Sequence, residues 1–160
     1  MTRINVVPVQ ELSRQHLIAE YRELPRIFNL VKAAIERGEL PNDRKNPVEY
    51  CLGTGHCRFF YDKCTWLTRR FSSLWKEMQY RGYSPQFTAV PSVVSDILGE
   101  EWWQDYEPTP EALALNRARI AERNGDTSDS DRSGRTGMDV VQEHRIPTGE
   151  QSLRPEDGQA

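Results

Sequence analysis

An all-α, mostly helical fold is what this sequence predicts: one compact domain of three principal helices and long loops, followed by a disordered C-terminal tail. Three observations predict it. Apolar residues recur at spacings of three and four in separate stretches, no stretch makes a convincing sheet strand, and all 15 aromatic residues lie at or before Tyr106. From Asn124 onward only Met138, Val140, Val141, Ile146, Leu153 and Ala160 are hydrophobic, 6 of 37 positions. That is too little apolar surface to offset the entropy of ordering the segment. The folded unit is therefore expected over residues 1–123. The polar run NGDTSDSDRSGRTG opens a disordered tail over 124–160, with a short docking element around Met138 to Val141 as the other reading.

The first helix is expected from Ser13, an N-cap residue type, to Gly38, a stop. Leu17, Tyr21, Leu24, Phe28, Val31 and Ile35 form its apolar stripe, and Pro25 inside it removes one backbone donor, which predicts a kink near Tyr21 to Pro25. Opposite the stripe fall Gln15, Arg22 and Arg26, with His16 and Glu23 together on one shoulder. The second helix is expected from Asp62 to Arg81 on the stripe Leu67, Phe71, Leu74 and Met78, widened by Trp75. A third starts where Thr109 can cap and Pro110 suits the first helical position, and continues to about Arg123, with Gly125 ending it. Pro41 to Phe60 reads as a loop with extended pieces, and Ser84 to Pro108 as a long connection.

Several classes are excluded at this level. No apolar run approaches the roughly 18 residues of a membrane span, and the first residues carry no secretory pattern, so a soluble, unexported, cytoplasmic chain is expected. Three cysteines, Cys51, Cys57 and Cys64, are too few for a disulfide framework. Their spacing with His56 does not match paired zinc ligands, so no metal is expected. Gly53-Thr54-Gly55-His56 lacks the length and lysine of a phosphate-binding P-loop and reads as a tight turn. Trp102-Trp103 could stack on bases or anchor a loop to the core.

The net charge of −3 hides a gradient. Residues 1–95 hold 14 Lys and Arg against 9 Asp and Glu, residues 96–122 hold 2 against 7, and residues 123–160 hold 5 against 8. Local charge governs electrostatic encounter, so a basic face on the first half suits a nucleic-acid partner despite the acidic average. Gln15, Arg22 and Arg26 make a ridge able to grip phosphates, or a solvated helix face. Glu23 sits among these arginines as an acid–base candidate or as a surface carboxylate paired with Arg26 or Arg22.

Thr at position 2 is small enough that an initiator Met is normally removed, which would leave Thr2 with a free α-amine. Such an amine has a pKa of about 7.7 to 8.0, so part of it is the nucleophilic free base near neutrality. Arg3 and Arg22 would lower it further. Thr after Met is also ordinary in proteins without any such role.

MTRIN at 1–5, QHLIAEYRELPR at 15–26, LGTGH at 52–56, FFYDK at 59–63 and RGY at 81–83 closely resemble the phage-type pyrimidine dimer DNA glycosylase family, the ultraviolet-damage endonuclease V of T-even phages. The match runs in order over residues 1 to about 123. The resemblance implies a compact helical DNA repair enzyme, without cofactor, that recognises cyclobutane pyrimidine dimers in duplex DNA and also nicks abasic sites. It implies the α-amine of Thr2 as nucleophile, Glu23 as the essential carboxylate, and Arg3, Gln15, His16, Arg22 and Arg26 as DNA contacts. On a shorter local match, Ala118-Arg119-Ile120, it implies Arg119 and Arg123 as further DNA contacts. Two departures stand out: Gln86 replaces a basic residue of the family, and the tail lacks the family's aromatic, basic segment.

Three other readings compete: a non-catalytic or lyase-only nucleic-acid-binding helical domain, an interaction protein with a merely solvated charged face, and an amidohydrolase using the Thr2 hydroxyl. The last class starts its nucleophile on a strand, which this sequence does not supply. A monomer is expected, since each apolar stripe is satisfied by the three helices packing together.

Overall fold

The computed structural model describes residues 3–87 and 98–132, with side chains to residue 125. Within these residues lie five helices: α1 (Arg14–Glu23), α2 (Pro25–Glu36), α3 (His56–Phe59), α4 (Cys64–Tyr80) and α5 (Pro110–Arg132). Short 3-10 turns at Val9–Glu11 and Glu100–Trp102 complete the described elements. The described residues form no strand, only an isolated antiparallel bridge between Lys63 and Trp103. None of their helices is long and apolar enough to cross a membrane.

The expected first helix is two. Ser13 caps α1, its hydroxyl accepting the His16 N–H at 3.3 Å. Leu24 keeps helical dihedrals and donates to the Glu20 carbonyl, but Pro25 has no N–H to continue the ladder and instead occupies the first turn of α2. Both halves keep the expected stripe inward: Leu17, Tyr21, Leu24, Phe28 and Val31 are buried and Ile35 is partly so. Helix α1 packs on α4 and on α2, and the first 3-10 turn packs on α4. From α4 come Leu67, Phe71, Leu74 and Met78, as expected, together with Cys64 and Trp66.

The segment read as a loop before α4 holds much of the aromatic core. Phe59 and Phe60 meet edge-on at 5.0 Å, Phe60 stacks on Trp66 at 5.3 Å, and Tyr50 stands edge-on to both phenylalanines. Gly55 makes the entry into α3 possible: its φ of +92° is left-handed, and a Cβ there would lie 2.8 Å from Pro47 Cγ. The tryptophan pair anchors its loop. Trp102 is buried, Trp103 packs tilted against Phe28 at 6.4 Å, and the Trp103 carbonyl accepts from the Thr65 hydroxyl. Tyr21 similarly holds the chain after α4, its hydroxyl donating to the Phe87 carbonyl at 2.8 Å and accepting the Phe87 N–H at 2.6 Å.

Thr109 caps α5 as expected, accepting the Ala112 N–H at 3.2 Å, but Gly125 does not end the helix. It lies in open space without left-handed dihedrals, so it costs the helix only about 1 kcal/mol relative to Ala. Residues 124–132, expected in the disordered tail, instead continue α5, and the rest of that expected tail, including the docking element at Met138 to Val141, lies outside the described residues.

Candidate active site

Residues Arg3 to Val7, which follow the expected nucleophile directly, are threaded through the middle of the helical core. Ile4, Asn5, Val6 and Val7 are all buried. A segment without secondary structure must satisfy its backbone polar groups by other means, and here side chains do so. The Asn116 carbonyl oxygen on α5 accepts from the N–H groups of Val6 at 2.7 Å and Val7 at 3.2 Å. Its amide donates to Asn5 Oδ1 at 2.9 Å, and Asn5 Nδ2 in turn donates to Glu20 Oε2 at 2.8 Å. Glu20 is paired with Arg70, whose Nη1 donates to the Val7 carbonyl. Nearer the start, the Ile4 N–H donates to His56 Nε2 at 2.9 Å, and the Tyr50 hydroxyl donates to the Ile4 carbonyl at 3.3 Å.

This frame presents a cationic face. Arg3 is partly buried, and its pKa is lowered by that burial and then by the positive charges of Arg123 and Arg119 on α5. His16 on α1 is lowered by burial and by the same field, from Arg123 and then Arg3. Four of the expected DNA contacts, Arg3, His16, Arg119 and Arg123, thus act on one another although they come from three parts of the chain. Arg3 and Arg119 line one cavity of about 390 Å³ with Leu52 and Gly53. Arg3 Nη1 is buried without a hydrogen-bond partner among the described residues, an unsatisfied charged donor on this face.

Gln15 and Arg22 are exposed on α1, as the ridge reading expects. Arg26 is 65% exposed and grips Glu23 with one nitrogen, at 3.0 and 2.8 Å to the two carboxylate oxygens. Glu23 itself is 29% exposed and reaches α3 electrostatically: the Cys57 thiol is pushed up by burial first and by Glu23 second. Glu23 therefore lies on the side of α1 that faces His56-Cys57, the pair whose first member holds Ile4. Thr2 lies outside the described residues. Two residues of chain span at most about 7 Å, so its nitrogen is confined to that distance from the Ile4 nitrogen.

Cys51, Cys64 and His56 each have a hydrogen-bond partner within the fold. Cys64 Sγ is buried against the Tyr61 carbonyl with its thiol pushed up to about 12 by burial, Cys51 Sγ lies 3.8 Å from the Thr54 carbonyl, and both His56 nitrogens are hydrogen-bonded.

Sequence reasoning missed Glu20, Arg70, Asn5, Asn116 and the part played by His56. A signal for the first two was present. Glu20 stands three residues after Leu17 and four before Leu24, and Arg70 three after Leu67 and four before Leu74, so each interrupts an apolar stripe with a charge. Opposite charges on two inward faces must find each other or destabilise the core. Residues 1–89 match the family model described as pyrimidine dimer DNA glycosylase.

Proposed function

The chain belongs to the pyrimidine dimer DNA glycosylase family, and on that premise we propose that it repairs DNA by excising cyclobutane pyrimidine dimers and nicking the strand through an imine on the α-amine of Thr2. The observation that carries this reading is the immobilised segment Ile4 to Val7, held by His56, Tyr50, Asn116 and Arg70 immediately after that amine and beside the cationic face. An attacking group gains most from being held in place before the substrate arrives.

After removal of Met1, the neutral Thr2 amine attacks C1′ of the 5′ nucleotide of the dimer. The bond from C1′ to the base breaks, the base leaves with the electron pair and takes a proton, and the opened sugar is joined to the amine as an imine. The protonated imine acidifies C2′. Loss of that proton expels the phosphate on C3′ and breaks the strand, and water then releases the enzyme. Glu23 stabilises the cationic intermediate and carries protons. Before DNA binds it is paired with Arg26 at 2.8 Å.

Arg3, Gln15, His16, Arg22, Arg26, Arg119 and Arg123 hold the duplex. A duplex already distorted by a dimer is cheaper to kink and unstack, which favours damaged sites. The enzyme acts in the cytoplasm, as a monomer and without metal or cofactor. The folded unit extends through α5 to Arg132 rather than ending at residue 123.

Borohydride trapping on dimer-containing and abasic duplexes, followed by peptide mass spectrometry, tests this reading. The expected result is a covalent adduct on Thr2 with both. Trapping on abasic DNA alone would reduce the protein to a lyase and point to Gln86 and the altered tail. No adduct on either, with Thr2 exposed as the N-terminus, would leave a non-catalytic DNA-binding domain.

A further inference from the structure

The reaction scheme gives no part to His56, yet this buried ring holds the backbone of the segment that follows Thr2. Its Nε2 receives the Ile4 N–H at 2.9 Å, and its Nδ1 lies 2.7 Å from the Cys51 carbonyl oxygen. A backbone N–H only donates and a carbonyl only accepts, so the ring proton is on Nδ1 and Nε2 presents its lone pair. The neutral ring is the one form that fits. A proton on Nε2 would face the Ile4 N–H donor to donor and break the link.

The surroundings favour that form. Tyr50 and Phe60 meet the ring edge-on, each at 5.5 Å. Burial pushes the His56 pKa below its ordinary value and the Cys51 carbonyl pulls the other way. The charged groups acting on it are Arg3 of the N-terminal segment, which lowers it, and Glu20 of α1, which raises it. Tyr50 of the preceding loop is un-ionised near neutrality, its own pKa raised by burial. Gly55, left-handed and too close to Pro47 for a side chain, leads directly into His56.

We propose that His56 is a positioning residue for the attacking amine: by accepting the Ile4 N–H it fixes the chain two residues after Thr2 and sets how the α-amine meets the sugar, an inference that rests on the imine chemistry proposed above. His56 touches no reacting atom in this role. It acts through the backbone, and it does so only while neutral.

The test is single-turnover nicking of an abasic duplex at saturating enzyme, comparing the wild type with His56→Leu and His56→Gln. The glutamine places an acceptor oxygen near the position of Nε2; the leucine does not. His56→Leu should slow nicking by roughly 10- to 100-fold, the range a misplaced reacting group costs, while the Kd for the duplex stays within about twofold. His56→Gln should recover most of the rate. Equal rates in His56→Leu and wild type would overturn the proposal.

A pH profile decides the matter if the leucine variant does not fold. The log of the wild-type rate should fall with a slope of about one on the acid side, from protonation of the amine, and steepen towards about two once His56 also takes a proton. The His56→Gln profile should keep a slope of about one. A wild-type profile with no second proton would overturn the proposal. Hydrogen exchange at the Ile4 amide, measured without DNA, should show protection in wild type and loss of it in His56→Leu. A protected Ile4 with no rate difference leaves the imine reading standing and removes His56 from it, whereas a wild type that forms no adduct on Thr2 brings down both.

Discussion

Glu20 of α1 and Arg70 of α4 meet at 2.7 Å with their side chains 0% and 7% exposed. Buried ion pairs contribute little net stability when intact but are costly to break, because the survivor keeps its charge in a low-dielectric site. Glu20→Ala should lower the unfolding free energy by about 3–5 kcal/mol in urea titration. Replacing both residues by leucine should recover only part of the loss, since Asn5 Nδ2 and the Val7 carbonyl would then lack their partners. A single-variant loss below about 1 kcal/mol would show that water replaces the pair, contrary to its burial.

Asn116→Ala removes the acceptor for two backbone donors and the donor to Asn5. Leaving buried groups unsatisfied costs about 1–3 kcal/mol each, so a loss of at least about 2 kcal/mol is expected. Asn116→Asp keeps the acceptor and should lose less. Asn5→Ala should be non-additive with Asn116→Ala in a double-mutant cycle, and full additivity would mean that the two amides do not act as one unit.

Glu39 anchors the segment leading to α3, accepting from Arg58 at 2.9 Å and from Arg37 at 2.9 Å, with its side chain 8% exposed. These hydrogen bonds lower its pKa to about 2 from an ordinary value near 4.5. A depressed carboxylate stabilises the fold fully above its unfolded pKa, and the contribution is lost as pH falls from there through the folded value. The Tm of wild type should therefore drop more between about pH 5 and about pH 2 than that of Glu39→Gln. Parallel curves would show that the cluster adds nothing.

Glu23→Gln should abolish dimer cleavage while duplex affinity stays within about threefold, because the amide keeps the shape but neither stabilises the cation nor carries the proton. Electrophoretic mobility shift and single-turnover nicking on the same substrate separate the two effects. Equal cleavage by variant and wild type would remove Glu23 from the mechanism.

Arg119 and Arg117 are two residues apart on α5 and therefore point to different sides of the helix. Arg119 faces the Arg3 cavity, whereas Arg117 is held by both oxygens of Glu11 at 2.8 Å. Arg119→Ala should reduce the slope of log affinity against log salt by about 0.9, one phosphate contact, and Arg117→Ala should leave it unchanged. A slope change for Arg117 would put the duplex on the other face of α5.

Where local rules decide, the chain announces its structure. Ser13 and Thr109 cap the helices whose starts they mark, Pro25 divides the first helical stretch, and the α1 and α4 stripes are buried as their spacing requires. What stays hidden depends on long-range pairing. Helix α3 is a single turn stabilised by aromatic packing, too short to show a period. Gly125 carries the usual sign of a helix end but does not adopt the left-handed dihedrals of one, and α5 continues through it. The cationic face was assembled by similarity of short strings rather than by physics, since Arg3 and Arg119 come together only once α5 lies against the N-terminal segment. The charges within the stripes, Glu20 and Arg70, are legible in the sequence as interruptions of two apolar faces.

The dependence of Val6 and Val7 on Asn116, 110 and 109 positions further along the chain, also dictates an order of events during synthesis. Two backbone donors near the beginning of the sequence take their acceptor from the last described helix. At about 5–20 residues per second, several seconds pass before α5 emerges. Until then the Val6 and Val7 N–H groups lack the Asn116 acceptor. Closing so long a loop is slow, so the Val6–Val7 segment is fixed only when α5 docks on it.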